Sequence, residues 1–319
     1  MPESAAVPAG PVGARTIPPG SSLITGGRGF AARHLADLLS GVEGSLTAPA
    51  RDQLDLLDGD ALRRALSELQ PQAIYHLAAL SSPRLSWANP AGAVLDNLRM
   101  TANLLDAVRH EAPGVRLVLV GSGQVYGDHP QLPVTEDAPI APGNPYAVSK
   151  AAGELLAQQY ETGFGLSVMR MRPFNHAGPG QSDEYVLATM AQQVAEAEAR
   201  GDDEALLQTG DVSVGRDFTD VRDVVRAYVL ALHAEPGAYN VCSGRSTRIG
   251  QLIEMLEAAA SVPVRHQVDP ARLRPLDAPV LLGSHERLTA ATGWRPEIPL
   301  EQTVRDTLDW WRERVSVGA

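Results

Sequence analysis

Short apolar runs ending in glycine or small residues alternate along the first half of the chain with longer stretches of helical periodicity. Ser21–Thr25 (SSLIT) reads as a buried strand that passes directly into Gly26-Gly27-Arg28-Gly29-Phe30-Ala31-Ala32, after which Leu35, Leu38 and Leu39 recur at helical spacing. Val42–Ala48, Gln72–Ala79 (QAIYHLAA) and Leu117–Val120 (LVLV) are three further strand candidates, and a long helix is predicted from about Ala91 to His110. Prolines at 130, 133, 139, 142 and 145 keep the next stretch non-helical until a helix begins near Tyr146. That helix carries Val148, Ala152 and Leu155 on one stripe, with Ala151 and Leu156 alongside. Two later helical signals are Leu252–Leu256 and Val304–Val315. The expected fold is α/β, a Rossmann-type doubly wound parallel sheet over residues 21–172 completed by a strand and helix within 221–243. A smaller, discontinuous C-terminal lobe is expected to draw on 173–220 and 244–315. His76, inside the third strand, reads as a core histidine, and Trp294 and the Trp310-Trp311 pair as packing residues of the lobe.

Composition narrows the classes. With 319 residues, 44% of them apolar, the chain can bury one large core and carry a second lobe. No run of about 18 apolar residues occurs, so no membrane span is expected. Residues 1–20, rich in Pro, Ala and Gly, lack the continuous apolar region of a secretory signal and read as a disordered tail. The lone cysteine, Cys242, rules out an intrachain disulfide framework and fits a reducing cytoplasm. A formal charge of -11 argues against a nucleic-acid partner, because duplex affinity rests on phosphate neutralisation. The eight histidines are scattered without i, i+4 pairs, so no metal site is expected.

The candidate chemistry gathers around Lys150, the only lysine; the other 26 of the 27 Lys and Arg residues are arginine. Such a bias keeps an ammonium only where a compact point charge is needed in place of a planar fork. Tyr146 lies one helical turn earlier, and a cation beside a phenol is expected to lower its pKa from about 10 and make it a usable proton donor or acceptor. Strand, glycine turn and helix start supply the context of a dinucleotide fingerprint: Gly26 for the turn, Gly29 for the approach of backbone amides to a pyrophosphate, and Ala32 in place of a third glycine. About 20 residues later no Asp or Glu closes the second strand to take a ribose 2′-hydroxyl. Arg28 and Arg51 stand nearby to take a 2′-phosphate, which leans the reading to NADP(H) with NAD(H) still open. Ser122 emerges at the carboxyl end of the fourth strand, placed to hydrogen-bond a carbonyl oxygen alongside Tyr146.

Gly26-x-x-Gly29-x-x-Ala32, Ser122 and Tyr146-x-x-x-Lys150 together resemble the extended short-chain dehydrogenase/reductase family, from about residue 21 to 315. The stretches Arg172–Gln181, Arg216–Val221, Tyr239–Gly244 and Asp269–Pro275 resemble its nucleotide-sugar branch, most closely the GDP-4-keto-6-deoxy-D-mannose reductases. The resemblance implies a Ser122, Tyr146 and Lys150 catalytic set. It also implies cofactor contacts at Gly26, Arg28, Gly29, Phe30, Asp55, Leu56, Leu77, Ala78, Ala79, Tyr146, Lys150 and Pro173. Asn175, Arg216 and Arg274, with Ser122, would hold a nucleotide-diphosphate sugar, and His176 either reaches it or shapes the loop. A homodimer joined by the Tyr146 helix and the 91–110 helix is also implied.

Where sugar dehydratases of this family carry Thr-Asp-Glu, this chain has Ser122-Gly123-Gln124, which removes the acid and base of water elimination. Reduction of an NDP-4-keto-6-deoxyhexose is therefore the leading expectation. A UDP- or dTDP-hexose 4-epimerase is the alternative, and a non-catalytic dinucleotide sensor is the alternative from another class.

Overall fold

The computed structural model describes residues 20–42, 44–81, 83–273 and 279–318. The expected disordered tail therefore falls almost wholly outside the described residues, and so does Arg274. Strand β1 (Ser22–Thr25) enters helix α1 (Phe30–Ser40) through the glycine loop, and β2 (Leu46–Thr47), α2 (Gly59–Leu69) and β3 (Ala73–His76) follow. Next come α3 (Pro83–Ala88), α4 (Pro90–Glu111), β4 (Arg116–Val120), α5 (Pro145–Phe164) and β5 (Ser167–Pro173). β2 is much shorter than the seven-residue strand read from the sequence. Its expected start, Val42, donates its N–H to the Leu39 carbonyl at the end of α1.

A six-stranded parallel sheet runs in the order β2-β1-β3-β4-β5-β9, its last strand β9 (Gly237–Val241) arriving after β6 (Asn175–Ala177), α6 (Val186–Arg200), β7 (Ala205–Thr209), β8 (Gly215–Asp220) and α7 (Val221–Ala231). The order reverses between β1 and β3, and ligands of such sheets bind outside the carboxyl ends of the strands at that reversal. One core face, with Ile24, Leu35, Tyr75, Met169 and Val224, packs under α1 and α7; the other, with Leu62, Leu104, Leu117 and Val168, packs under α2, α4 and α5.

The second body contains β10 (Ser246–Arg248), α8 (Ile249–Ala259), β11 (Val264–Val268), β12 (Val280–Leu281), α9 (Glu286–Thr292) and α10 (Leu300–Gly318). Its own core joins Leu187, Val194, Leu252, Leu256, Val304 and Leu308 from α6, α8 and α10. One stretch departs from the expected division. Leu288 and Trp294 are fully buried in the core of the six-stranded sheet, where Trp294 Nε1 donates to the Asp223 carbonyl at 3.0 Å. Among the described residues no helix is long and apolar enough to cross a membrane.

Candidate active site

Helix α5 forms where the sequence says it must. Asn144 caps it by accepting the Ala147 N–H at 2.8 Å, Pro145 occupies the first turn, and Gly165 ends it at φ 71°. Tyr146 and Lys150 therefore rise one turn apart from one face of a well-anchored helix. The backbone N–H of Tyr146 is taken by the buried Ser86 hydroxyl at 3.3 Å, which ties α3 to this turn.

Ser122 stands at the end of β4, where its side chain accepts the Gln124 N–H at 3.2 Å and caps a short 3-10 turn, Gly123–Tyr126. Its hydroxyl also hydrogen-bonds the Tyr146 phenol, and Lys150 Nζ lies 6.0 Å from the Tyr146 ring centre while donating to the Val120 carbonyl at 2.7 Å. Three groups from two segments, the end of β4 and the first turns of α5, thus meet at one sheet edge.

Protonation corrects one expectation. Burial raises the Tyr146 phenol above its ordinary value; the Ser122 hydrogen bond opposes this and the neighbouring Tyr185 adds to it. Burial lowers Lys150 to about 8, so desolvation of the pair outweighs the ammonium field on the phenol. His76 is a satisfied core residue, its Nδ1 paired with Thr25 Oγ1 at 2.8 Å, and burial with the Lys150 charge pulls it down to about 3. Asn97 clamps the backbone of Leu80 at 2.8 and 3.2 Å and donates to Ser149 at 2.9 Å, holding β3's outlet against α5.

Ser122, Tyr146 and Lys150 open on one cleft of about 1640 Å³. Every described residue singled out from the sequence for cofactor or substrate lines it: Gly26, Arg28, Gly29, Phe30, Asp55, Leu56, Leu77, Ala78, Ala79, Pro173, Asn175 and Arg216, with the catalytic set. At one end Gly26 has φ 75° and any Cβ there would lie 2.9 Å from the Ala78 backbone, so the loop hugs β3's end. The first turn of α1 has no side-chain cap, leaving backbone N–H groups for a pyrophosphate. The residues present therefore fit a dinucleotide.

Arg51 lines the cleft as well, and Arg28 reaches the exposed Asp52 at 3.4 Å. Arg216 is buried on β8, with Nη1 donating to the Gly215 carbonyl at 2.8 Å. His176 lies parallel to Phe30 at 6.0 Å and shares the cleft wall. The neighbouring Asp217 is structural: it accepts from Ser243 N–H and Oγ at 2.7 and 2.6 Å and from Gly244 N–H at 3.0 Å.

The turn after Ser122 carries a steric statement. A Cβ at Gly123 would fall 2.7 Å from the Phe174 ring, and Gln124 accepts from Asn144 Nδ2 at 3.0 Å. No acidic side chain fits at 123 while Phe174 fills that space. Sequence reasoning missed Tyr185, whose hydroxyl bridges to Ser81 at 3.3 Å, and the face of α6 that lines the cleft. The only local signal for α6 was a polar stripe, Thr189, Gln193 and Glu196, opposite an apolar one.

A family model described as GDP-mannose 4,6 dehydratase matches residues 46–307. The chain belongs to this family. Within the GDP-mannose 4,6 dehydratase family it is 40% identical over 297 residues to the GDP-6-deoxy-D-mannose reductase of Pseudomonas aeruginosa, covering 92% of this chain and 97% of that one. It is 31% identical over 317 residues to a UDP-glucose 4-epimerase of Mycolicibacterium smegmatis, covering 92% and 99%. Its fold superposes on RMD from Pseudomonas aeruginosa complexed with NADPH, with a TM-score of 0.84, 37% identity and coverage of 92% and 99%. The fold also matches a Thermus thermophilus UDP-glucose 4-epimerase complexed with NAD, with a TM-score of 0.79, 30% identity and coverage of 92% and 99%. The chain is thus a Rossmann-type member of the extended short-chain dehydrogenases/reductases, among nucleotide-sugar enzymes that bind a nicotinamide dinucleotide.

Proposed function

We propose that this protein reduces the C4 carbonyl of GDP-4-keto-6-deoxy-D-mannose to give GDP-D-rhamnose. The observation that carries the reading is the convergence of Ser122, Tyr146 and Lys150 on the cleft beside a turn in which Phe174 leaves no room for an eliminating acid. Similarity to a GDP-6-deoxy-D-mannose reductase supports the same choice over the more distant epimerases.

The glycine loop, the first turn of α1 and Lys150 would hold the cofactor, with Asp55, Leu56, Leu77–Ala79 and Pro173 along its length. When bound, the reduced nicotinamide supplies a hydride. Tyr146, kept protonated by burial, gives its proton to the ketone oxygen, and Ser122 donates a hydrogen bond to the negative charge developing there. Lys150 stabilises the phenolate left behind. Asn175 and Arg216 take the diphosphate, the guanidinium donating charge-assisted hydrogen bonds that an acidic protein can offer only locally. Arg216→Ala is expected to raise KM for the sugar nucleotide about ten- to hundredfold; an unchanged KM removes Arg216 from the site.

Arg28 in the glycine loop and Arg51 after β2 favour NADPH over NADH. The exposed apolar Val148 and Leu155 on α5 and Leu95 on α4 suit a homodimer, checked by light scattering. A buried lone cysteine fits a cytoplasmic setting. One incubation tests the reading. The protein is mixed with GDP- or dTDP-4-keto-6-deoxyhexose and NADPH or NADH, absorbance at the reduced-nicotinamide band is followed, and the product is identified by NMR. Stoichiometric NADPH loss with a GDP-6-deoxyhexose product is expected; epimerised sugar without cofactor consumption refutes it.

A further inference from the structure

Arg216 lies on β8 with a different strand on each side of it. Its register partners are Thr247 of β10 and Leu281 of β12. Those strands are only three and two residues long, so their ladders alone hold them weakly. The chain entering β10 and the chain leaving β12 are tied instead to the next residue of β8, Asp217.

Asp217 is wholly buried, and its carboxylate collects four donors. Oδ1 accepts the Ser243 N–H at 2.7 Å and the Ser243 hydroxyl at 2.6 Å, while Oδ2 accepts the N–H groups of Gly244 at 3.0 Å and Gly283 at 3.4 Å. All four donors are neutral, and burial outweighs them, pushing the acid up to about 6. A carboxyl raised by folding stabilises the fold at low pH and loses that contribution as pH rises through about 6, so at neutral pH the charge is kept at the expense of stability. What the charge supplies is acceptor capacity. A carboxylate takes all four donors, whereas the acid carries a hydrogen on one oxygen and must release a partner.

We infer that Asp217 is a positioning residue: its carboxylate staples the bend before β10 and the chain after β12 to β8, and so fixes Arg216 for the substrate diphosphate. The inference rests on the reading of Arg216 as a diphosphate ligand. Protonated, Asp217 lets one flank go, and the grip on an anionic ligand weakens. The other groups around it act otherwise. On β8, Asp220 is held by Arg222 at 2.7 Å; after β9, the Cys242 thiol is pushed up by burial and stays neutral, and Arg245 is exposed. His285 beside Gly244 and His176 on β6 gain charge only as pH falls, which tightens an anionic ligand. Glu136, which accepts the Asn240 N–H of β9, is faced by Arg287 at 3.6 Å and makes no contact with Ser243.

The test is titration calorimetry of GDP-mannose, whose esterified diphosphate keeps a constant charge, on the full chain from about pH 7.5 down to about pH 5. Wild type is expected to lose affinity about three- to tenfold in a step centred near pH 6. Ser243→Ala removes one donor to the carboxylate, so its step moves to higher pH. Asp217→Asn binds weakly throughout and shows no step. Wild-type affinity that is flat or tightens towards low pH, or a step that stays in place in Ser243→Ala, overturns the inference, and neither measurement depends on Asp217→Asn folding. Such a result leaves Arg216 on the diphosphate, whereas no binding of GDP-mannose at any pH overturns that reading as well.

Discussion

Tyr146→Phe lowers kcat for carbonyl reduction by about 10²–10⁴-fold, with substrate and cofactor affinity changed little. The substitution removes one oxygen from a buried ring and leaves the helix cap, the Ser86 contact to the Tyr146 backbone N–H and the packing of α5 as they are. What is lost is the proton donor that hydrogen-bonds Ser122, while the neighbouring Lys150 is turned to the Val120 carbonyl. Burial keeps the phenol protonated across neutral pH, so the donor form is present without adjustment. Lys150, at about 8, is cationic below that value and neutral above it. Turnover is therefore expected to be flat at neutral pH and to decline as pH rises through about 8, when the charge that steadies the phenolate is lost. Near-normal kcat in the Phe variant, measured by single-turnover absorbance, sinks the assignment of Tyr146.

Arg172→Met destabilises the fold by about 3–5 kcal/mol, read from chemical denaturation. Arg172 and Glu154 form a buried pair, with guanidinium-to-carboxylate contacts of 3.0, 3.0 and 2.5 Å, and Arg172 Nη1 also donates to the Tyr126 hydroxyl and to the Glu136 carbonyl at 3.1 Å. Removing the cation strands a carboxylate that is itself almost wholly buried. The Arg172→Met, Glu154→Leu double variant recovers most of the loss, since an apolar pair removes both desolvation penalties. A single variant as stable as wild type contradicts the electrostatic account. The pair also ties β5 to α5 four residues after Lys150, so the single variant is expected to lose turnover beyond its loss of stability.

Much of this was legible in the residues because it is local. The glycine loop, the Asn144-Pro145 helix start and the Tyr146 to Lys150 spacing are set within one or two turns of chain, where backbone geometry leaves few choices. Alternation of strands and helices with a right-handed crossover rule was enough for the parallel sheet. Less local matters went astray for stated reasons. β2 read as seven residues because an apolar stretch was counted without knowing where α1 would end. Trp294 read as part of the second lobe because its neighbours in sequence lie there, yet its indole is buried beside Asp223 of α7.

The sequence by itself determined which residues could do the chemistry and which elements carry them: one lysine, one phenol a turn away, a serine at a strand end. The tertiary structure alone decided their state and their company. Tyr146 stays protonated because neighbours distant in the chain bury it, Gly123 is barred from carrying a side chain by Phe174 about 50 residues on, and α6 turns a polar stripe into the cleft. Desolvation and steric exclusion depend on which distant segments are brought together, and no spacing within a single segment encodes them.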